Sequence, residues 1–547
     1  MNGNHFGKKG FVVGIILMFL GTSIITNFTV VCSEPRRSSD RPSIQSLGCP
    51  QPSYGNPLYL EWEQTFGGSN YDHGHSVEQT ADGGYIITGY TTSYGPTGEH
   101  IWLIKTDHNG SEQWNKTLEN NSCGFSVKQT IDGGYIVAGD TYAFGTKKII
   151  LIKTYSNGIK EWQNTFSAGD EVYCRSLDQT SDGDYIITGT GHGLLPGAYY
   201  YVFLLKANSN GDLLWMKTFG SNNSWSNSVR STSDQGYIVT GSTVEYGAVD
   251  RDIWLIKTDR DGNEEWNRTF NGPGNKFDGG ADVQQTSDEG YILTGQTGYP
   301  MNYSVDSNVW LVKTDSNGYQ QWNRTFGGVG WDEGFSVNQT TDGGYVIAGE
   351  TKSFGDGESD IWVIRTNDSG VETWNITLGG SNEDIGESVQ QTSDKGFIIV
   401  GRTSSYGAGW ADAWLIKLSE NKAPNQPTID GQQSGRPGIS YSYDVCASDP
   451  EGDEVNYWIE WGDGSAAIQW IGPYQSGQII TVSHIFSKKG TFIIKCQAKD
   501  MYDAESDWGQ LSVTMPFSYN IPFLSFWEKL FERFPNAFPI LQHLMRY

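Results

Sequence analysis

Three histidines and an aspartate crowd one short stretch of this 547-residue chain: Asp72, His73 and His75, with His100 a little further on. Imidazole nitrogens beside a carboxylate are a zinc donor set. Polar surface residues of the same types are commoner, so no metal is expected from them. The turns Asp107–Gly110, Asp259–Gly262 and Asp315–Gly318 share features with calcium loops, but their equivalents open on Tyr155, Asn208 and Asn367, which favours turn geometry. Asp449, Glu451 and Asp453 form another acidic cluster that reads as a solvated turn. The chain has no Gly-x-Ser-x-Gly, His-Glu-x-x-His or P-loop sequence, and no catalytic residue or cofactor is assigned.

Tryptophan placement says more. Of the 20 Trp, twelve recur in register with a repeat, and Trp225, Trp331 and Trp410 break it. Exposed indoles beside carboxylates suit stacking on sugar rings, and Asp332, Glu333 and Asp412 adjoin two of the three. The candidate ligand-binding set is therefore Trp225, Trp331, Asp332, Glu333, Trp410 and Asp412. Idiosyncratic loop packing is the competing explanation.

These residues hang on a seven-fold repeat. Trp-x-x-Thr-[Phe/Leu] begins at Trp62, Trp114, Trp162, Trp215, Trp266, Trp322 and Trp374. Thr-x-Asp-x-[Gly/Asp]-[Tyr/Phe] ends at Tyr85, Tyr135, Tyr185, Tyr237, Tyr291, Tyr345 and Phe397. A third pattern, Ile-Trp-Leu-Ile-Lys-Thr at its clearest, has its cation at Lys105, Lys153, Lys206, Lys257, Lys313, Arg365 and Lys417. Each unit predicts four strands; in one they fall at 336–340, 345–349, 360–366 and 373–378. The third strand is apolar on both faces, so both faces of each sheet must be covered. Seven four-stranded sheets packed face to face around an axis satisfy this, which is a β-propeller. The chain enters on a spare fourth strand, 59–66, and leaves after a third strand, 413–418. Pairing the two closes the ring without free edges.

The first strands, such as 76–80 and 336–340, repeat small and amide residues almost uniformly, whereas a catalytic centre should break the repeat near the axis. That argues for binding or scaffolding over catalysis. Lys and Arg number 37 against 63 Asp and Glu, a net charge of −26 that disfavours nucleic acid and anionic membranes as partners. Lys8 and Lys9 precede an apolar run, so residues 1–33 read as a signal peptide or N-terminal membrane anchor. Either places the remainder outside the cell or on its surface. Ten Asn-x-Ser/Thr sequons follow; Asn115, Asn267, Asn323 and Asn375 arise from the recurring Trp-Asn-x-Thr pattern.

The turn into the fourth strand, Lys-Thr-Asp315-Ser-Asn-Gly318-Tyr-Gln-Gln-Trp322, resembles the docking pattern of quinoprotein-like propellers over 59–418. That resemblance speaks for packing; the catalytic Asp and calcium ligands of quinone-dependent dehydrogenases have no match here. Asp-Gly-Gly-Tyr-Ile-Ile-Thr-Gly and Ile-Trp-Leu-Ile-Lys-Thr-Asp also look like repeats of archaeal and bacterial surface proteins. After a linker at 419–427, Tyr457-Trp-Ile-Glu-Trp-Gly-Asp-Gly464 and His484-Ile-Phe-Ser-Lys-Lys-Gly490 resemble PKD (polycystic kidney disease) domains. The resemblance implies an Ig-like β-sandwich over 428–516, acting as a spacer or adhesive module. Cys446 and Cys496 fall on two of its strands and are expected to form a disulfide, although inward-facing Tyr443 and Val445 would turn Cys446 outward. Cys123 and Cys174, one blade pitch apart, are a second possible pair.

Residues 34–58 form a linker, and 517–547 read as an amphipathic helical tail that docks on protein or lies in a membrane interface. The whole is all-β: a seven-bladed propeller, an Ig-like sandwich and a short helical tail. The expected role is a non-enzymatic surface scaffold for an extracellular glycan or surface protein. The alternative is an exported propeller enzyme acting on polysaccharide, or a quinone-dependent dehydrogenase.

Overall fold

The structure, a computed structural model, describes residues 58–516 apart from 144, 194–198, 221–222, 247–250, 274–276 and 300–305, together with 529, 532 and 533. The N-terminal segment 1–33, the linker up to residue 57 and the tail read as helical lie outside the described residues, save those three positions. Among the described residues no helix is long and apolar enough to cross a membrane.

Seven antiparallel four-stranded sheets follow one another around a ring. Blade one holds Asp72–Gln79, Tyr85–Thr91, His100–Thr106 and Glu112–Asn120. Blades two to six span 122–166, 171–219, 225–270, 277–326 and 332–378. Blade seven joins Asp384–Gln391, Phe397–Thr403 and Asp412–Glu420 to the N-terminal strand Leu58–Phe66. That strand runs antiparallel to Asp412–Glu420, from Leu58 opposite Glu420 to Phe66 opposite Ala413. The seven first strands touch in a closed circle and line the axis.

Each repeated motif has a mechanical reason. The fourth-strand Trp of one blade packs on the second-strand aromatic of the next, with ring centroids between 5.7 Å (Trp62–Tyr85) and 6.3 Å (Trp162–Tyr185) apart. The same indole lies over the glycine of the next blade's Asp-x-x-Gly turn. A Cβ on Gly318, whose φ is +76°, would stand 2.5 Å from Trp266. The third-strand cation is buried in all seven blades and pairs with the hairpin-turn Asp, as in Lys257–Asp234 at 2.7 Å, Lys313–Asp288 at 2.8 Å and Lys417–Asp394 at 3.0 Å. A turn Thr hydroxyl donates to that same Asp, for instance Thr340 to Asp342 at 2.6 Å. Asn115, Asn267 and Asn375 accept hydrogen bonds from the indoles of Trp102, Trp254 and Trp362, so these sequon residues also have a packing role.

The sandwich packs a sheet of Thr428–Gly431, Ser440–Cys446 and Ile480–Ile485 against one of Ile468–Tyr474, Val455–Glu460, Gly490–Lys499 and Gly509–Met515. Its core includes Tyr443, Tyr457, Trp461, Phe486 and Cys496. The expected 446–496 disulfide is corrected by the structure, in which both residues are free thiols. Tyr443 and Val445 do point inward, so strand alternation turns Cys446 out, where its thiol meets the Gly477 carbonyl. Cys496 faces the core from the other sheet. Cys123 and Cys174 are free as well: they sit one step apart in blade register, Cys123 against the Glu99 carboxylate and Cys174 in the interblade core.

Candidate functional site

The first strands begin earlier than their sequence suggests. Blade six starts at Asp332, not Ser336, and every first strand carries a bulge, between Gly74 and Ser76 in blade one and between Gly334 and Ser336 in blade six. A bulge inserts an unpaired residue and re-aims its side chain. It also brings two backbones together: a Cβ on Gly89, opposite the bulge, would lie 1.7 Å from the His73 carbonyl oxygen. The equivalent glycine recurs in all seven blades.

Beyond the bulge six blades repeat a serine at one level, Ser76, Ser126, Ser176, Ser228, Ser336 and Ser388, while blade five places a buried Asp282 there, which pairs with Arg230 at 2.9 Å and accepts from Ser228. Before it, the repeat dissolves. The residue two before the bulged position is His73, Cys123, Tyr173, Trp225, Gly279, Glu333 or Ile385; the bulged residue is His75, Phe125, Arg175, Asn227, Ala281, Phe335 or Glu387. The second-strand partners of the former vary equally: Tyr90, Asp140, Thr190, Ser242, Gln296, Glu350 and Arg402. Seven blades thus present three variable positions each around one mouth of the axis, on the side of the loops that enter first and third strands.

This mouth has two unlike halves. In blades two to four, Trp225 stacks on Tyr200 at 4.3 Å and stands 6.2 Å from Tyr173, with Arg251 over it at 5.7 Å. Lys147 lies over Tyr173 and pairs with Asp140 at 2.9 Å. Burial raises Asp140 to about 6 despite that ammonium. In blades six and seven, carboxylates predominate. Burial, reinforced by Glu350, pushes Glu333 up to about 8, and burial raises Glu350 to about 7. Arg402 answers part of this charge through Glu383 at 2.7 Å.

Blades one and seven meet at His73, His75 and Glu387. Nε2 of His73 is 3.2 Å from a Glu387 carboxylate oxygen, and the two imidazole rings lie 4.1 Å apart. One ligand atom from each of the three fits within 4.8 Å of the others. Burial and the neighbouring His73 hold His75 down at about 3, so it is neutral at physiological pH. His100 is elsewhere, its ring on the Pro96 carbonyl at 2.6 Å, and Asp72 is fully buried, accepting from Gly68, Thr91 and Ser93.

The six sequence-derived candidates separate. Trp225 opens the first strand of blade four and belongs to the aromatic half. Glu333 belongs to the acidic half and accepts a hydrogen bond from the Trp331 indole. Trp410 is 68% exposed outside the channel, beside Tyr71 at 5.7 Å. Asp332 and Asp412 are buried and occupied by their own loops: Asp332 accepts from Gly328 and Ser353, and Asp412 from Ala408 and Gly409. Sequence reasoning omitted His73, His75, Tyr173, Arg175, Glu350, Glu387 and Arg402 from the ligand set. Extending the seven first strands upstream would have exposed five of them, and extending the second strands one residue downstream would have exposed Glu350 and Arg402. A cavity of about 580 Å³ between blades four and five, lined by Asp234, Lys257, Trp266 and Tyr291, is made of repeat residues and reads as packing geometry.

A propeller with a built axial mouth, followed by a sandwich, defines the class. One segment, 18% of this chain, is 46% identical to the PKD domain of an M14-like peptidase from Thermoplasmatales archaeon SCGC AB-540-F20 and covers 99% of that domain, with a TM-score of 0.17. A protein of unknown function from Bacteroides caccae shares 12% identity over 51% of this chain and 89% of its own, with a TM-score of 0.33. No protein-family model and no curated protein matches the chain.

Proposed function

We propose that this is an exported surface protein whose propeller binds an extracellular glycan at the variable axial mouth, without transforming it, while the sandwich acts as spacer. One observation carries the reading: side-chain identity is conserved between blades wherever packing needs it and released at three positions that share one mouth. Positions without a packing duty vary in any scaffold; what supports a ligand here is that the released residues gather as aromatic rings on one side and carboxylates on the other. The Tyr173–Trp225–Tyr200 group offers ring faces for sugar stacking, each worth on the order of 1 kcal/mol. The carboxylates opposite can accept hydroxyl hydrogen bonds. Trp410 with Tyr71 extends the same side outward as a second, exposed aromatic contact.

The test is a glycan array on the full chain, repeated with Trp225→Ala, Tyr173→Ala and Trp410→Ala, alongside melting curves. Loss of binding at Trp225 or Tyr173 with unchanged melting supports the reading. Wild-type protein that retains no glycan, or binding indifferent to all three changes, refutes it. Release of shortened sugars from a retained polymer identifies an enzyme instead.

A further inference from the structure

We propose that His73, His75 and Glu387 form a binding site for one divalent transition-metal ion of the zinc class, at the seam between blades one and seven. Three features of the structure carry this beyond glycan binding. The first is geometry. Tetrahedral zinc with bonds of about 2.0–2.1 Å has ligand–ligand edges of roughly 3.3–3.4 Å. The His73–Glu387 edge, at 3.2 Å, is already of that length. The remaining edges, none above 4.8 Å, close by side-chain rotation.

The second is register. His75 and Glu387 are the bulged residues of adjacent blades, and His73 lies two before its own bulge, on the same side of the strand. No packing rule demands these types, since the same bulge position holds Phe125, Arg175, Asn227, Ala281 or Phe335 elsewhere. The third is donor chemistry. Two imidazole nitrogens and one carboxylate suit zinc and its transition-metal neighbours rather than calcium or magnesium, which prefer oxygen cages. Arg175 and Arg402 lie near enough to His75 to oppose added positive charge, and the Glu387 carboxylate within the site offsets it. Three protein ligands leave a fourth position for water.

The test uses the full chain stripped of metal, titrated with zinc alone against a chromophoric chelator, and with cobalt(II) read by its visible absorption. The expected result is one equivalent bound at micromolar affinity or tighter, with a cobalt spectrum of four or five coordination. His75→Ala should weaken binding at least 100-fold, as should Glu387→Gln, which keeps the side chain's size. His100→Ala should leave binding unchanged. Melting curves of each variant separate lost ligands from lost fold. A cooperatively melting wild type that takes up no stoichiometric zinc overturns the site and leaves His73 and Glu387 a hydrogen-bonded pair. Unchanged affinity in folded Glu387→Gln, or in a folded His73→Ala/His75→Ala double variant, overturns it equally.

Discussion

Replacing Asp288 by Ala should cost the propeller more than removing the lysine it holds. The Lys313 ammonium is buried, its side chain only 4% exposed, while Asp288 is about half exposed at 55%. Losing Lys313 leaves a carboxylate that water can solvate; losing Asp288 leaves a cation in the interior. Breaking a buried pair from the wrong side costs roughly 3–5 kcal/mol. The exposure of Asp288, and the neutral acceptors left to Lys313 at Thr314 (2.9 Å) and Gln321 (3.3 Å), lower the expectation to about 2–3 kcal/mol. Blade four supplies the control. Lys257 pairs with Asp234 but also with Glu265 at 3.0 Å, so Asp234→Ala should cost only about 1 kcal/mol. Lys313→Met, which keeps the stem, should also cost about 1 kcal/mol or less. Urea unfolding followed by tryptophan fluorescence measures all three, provided the slope with urea is unchanged. The reasoning fails if Asp234→Ala costs as much as Asp288→Ala, or if Lys313→Met costs more than either.

Glu333 titrates above the ordinary carboxylate range, so the folded state holds its proton longer than the unfolded chain does, and stability is lost as pH rises from about 4.5 to about 8. Glu333→Gln, compared with wild type in the presence of chelator, should therefore raise the melting temperature at pH 8.5 and leave it nearly unchanged at pH 4; an equal shift at both would refute the assignment. Peptide mapping after alkylation of the unfolded, unreduced protein should find Cys123, Cys174, Cys446 and Cys496 all modified and no cross-linked 446–496 peptide.

The ring was readable because its motifs are pairwise contacts repeated from blade to blade: between blades Trp266 on Tyr291, and within a blade Lys257 with Asp234. Each appears in the sequence as a fixed residue at a fixed spacing. The site was obscured by the same repetition. The bulge breaks the alternation that marks a strand, so Glu333 and its neighbours read as loop, and the serines repeated after the bulge in six blades stood for the whole axis. Nor does sequence adjacency distinguish a free carboxylate from a committed one. Asp332 and Glu333 are neighbours, yet one is locked under Ser353 and the other faces the channel. The Cys446 phase conflict was visible in the alternation of Tyr443 and Val445, and the structure resolves it in favour of alternation.

The pairing that closes blade seven also decides how the molecule carries load. Leu58 and Glu420 face each other at one end of their antiparallel ladder, so tension between the incoming chain and the sandwich peels that ladder rung by rung instead of shearing it. Six blades lie outside the line of force, and the ring would open like a clasp at its weakest geometry. The sandwich is sewn over that very spot. The Asn421 amide donates to Asp500 at 2.6 Å in a buried contact, Lys422 pairs with Glu451 at 3.0 Å, and Tyr59 on the closing strand packs on Tyr502 at 5.6 Å. Pulling must first undo these stitches, so the sandwich serves the ring as a safety catch, and tethered protein lacking it should unclasp at lower force.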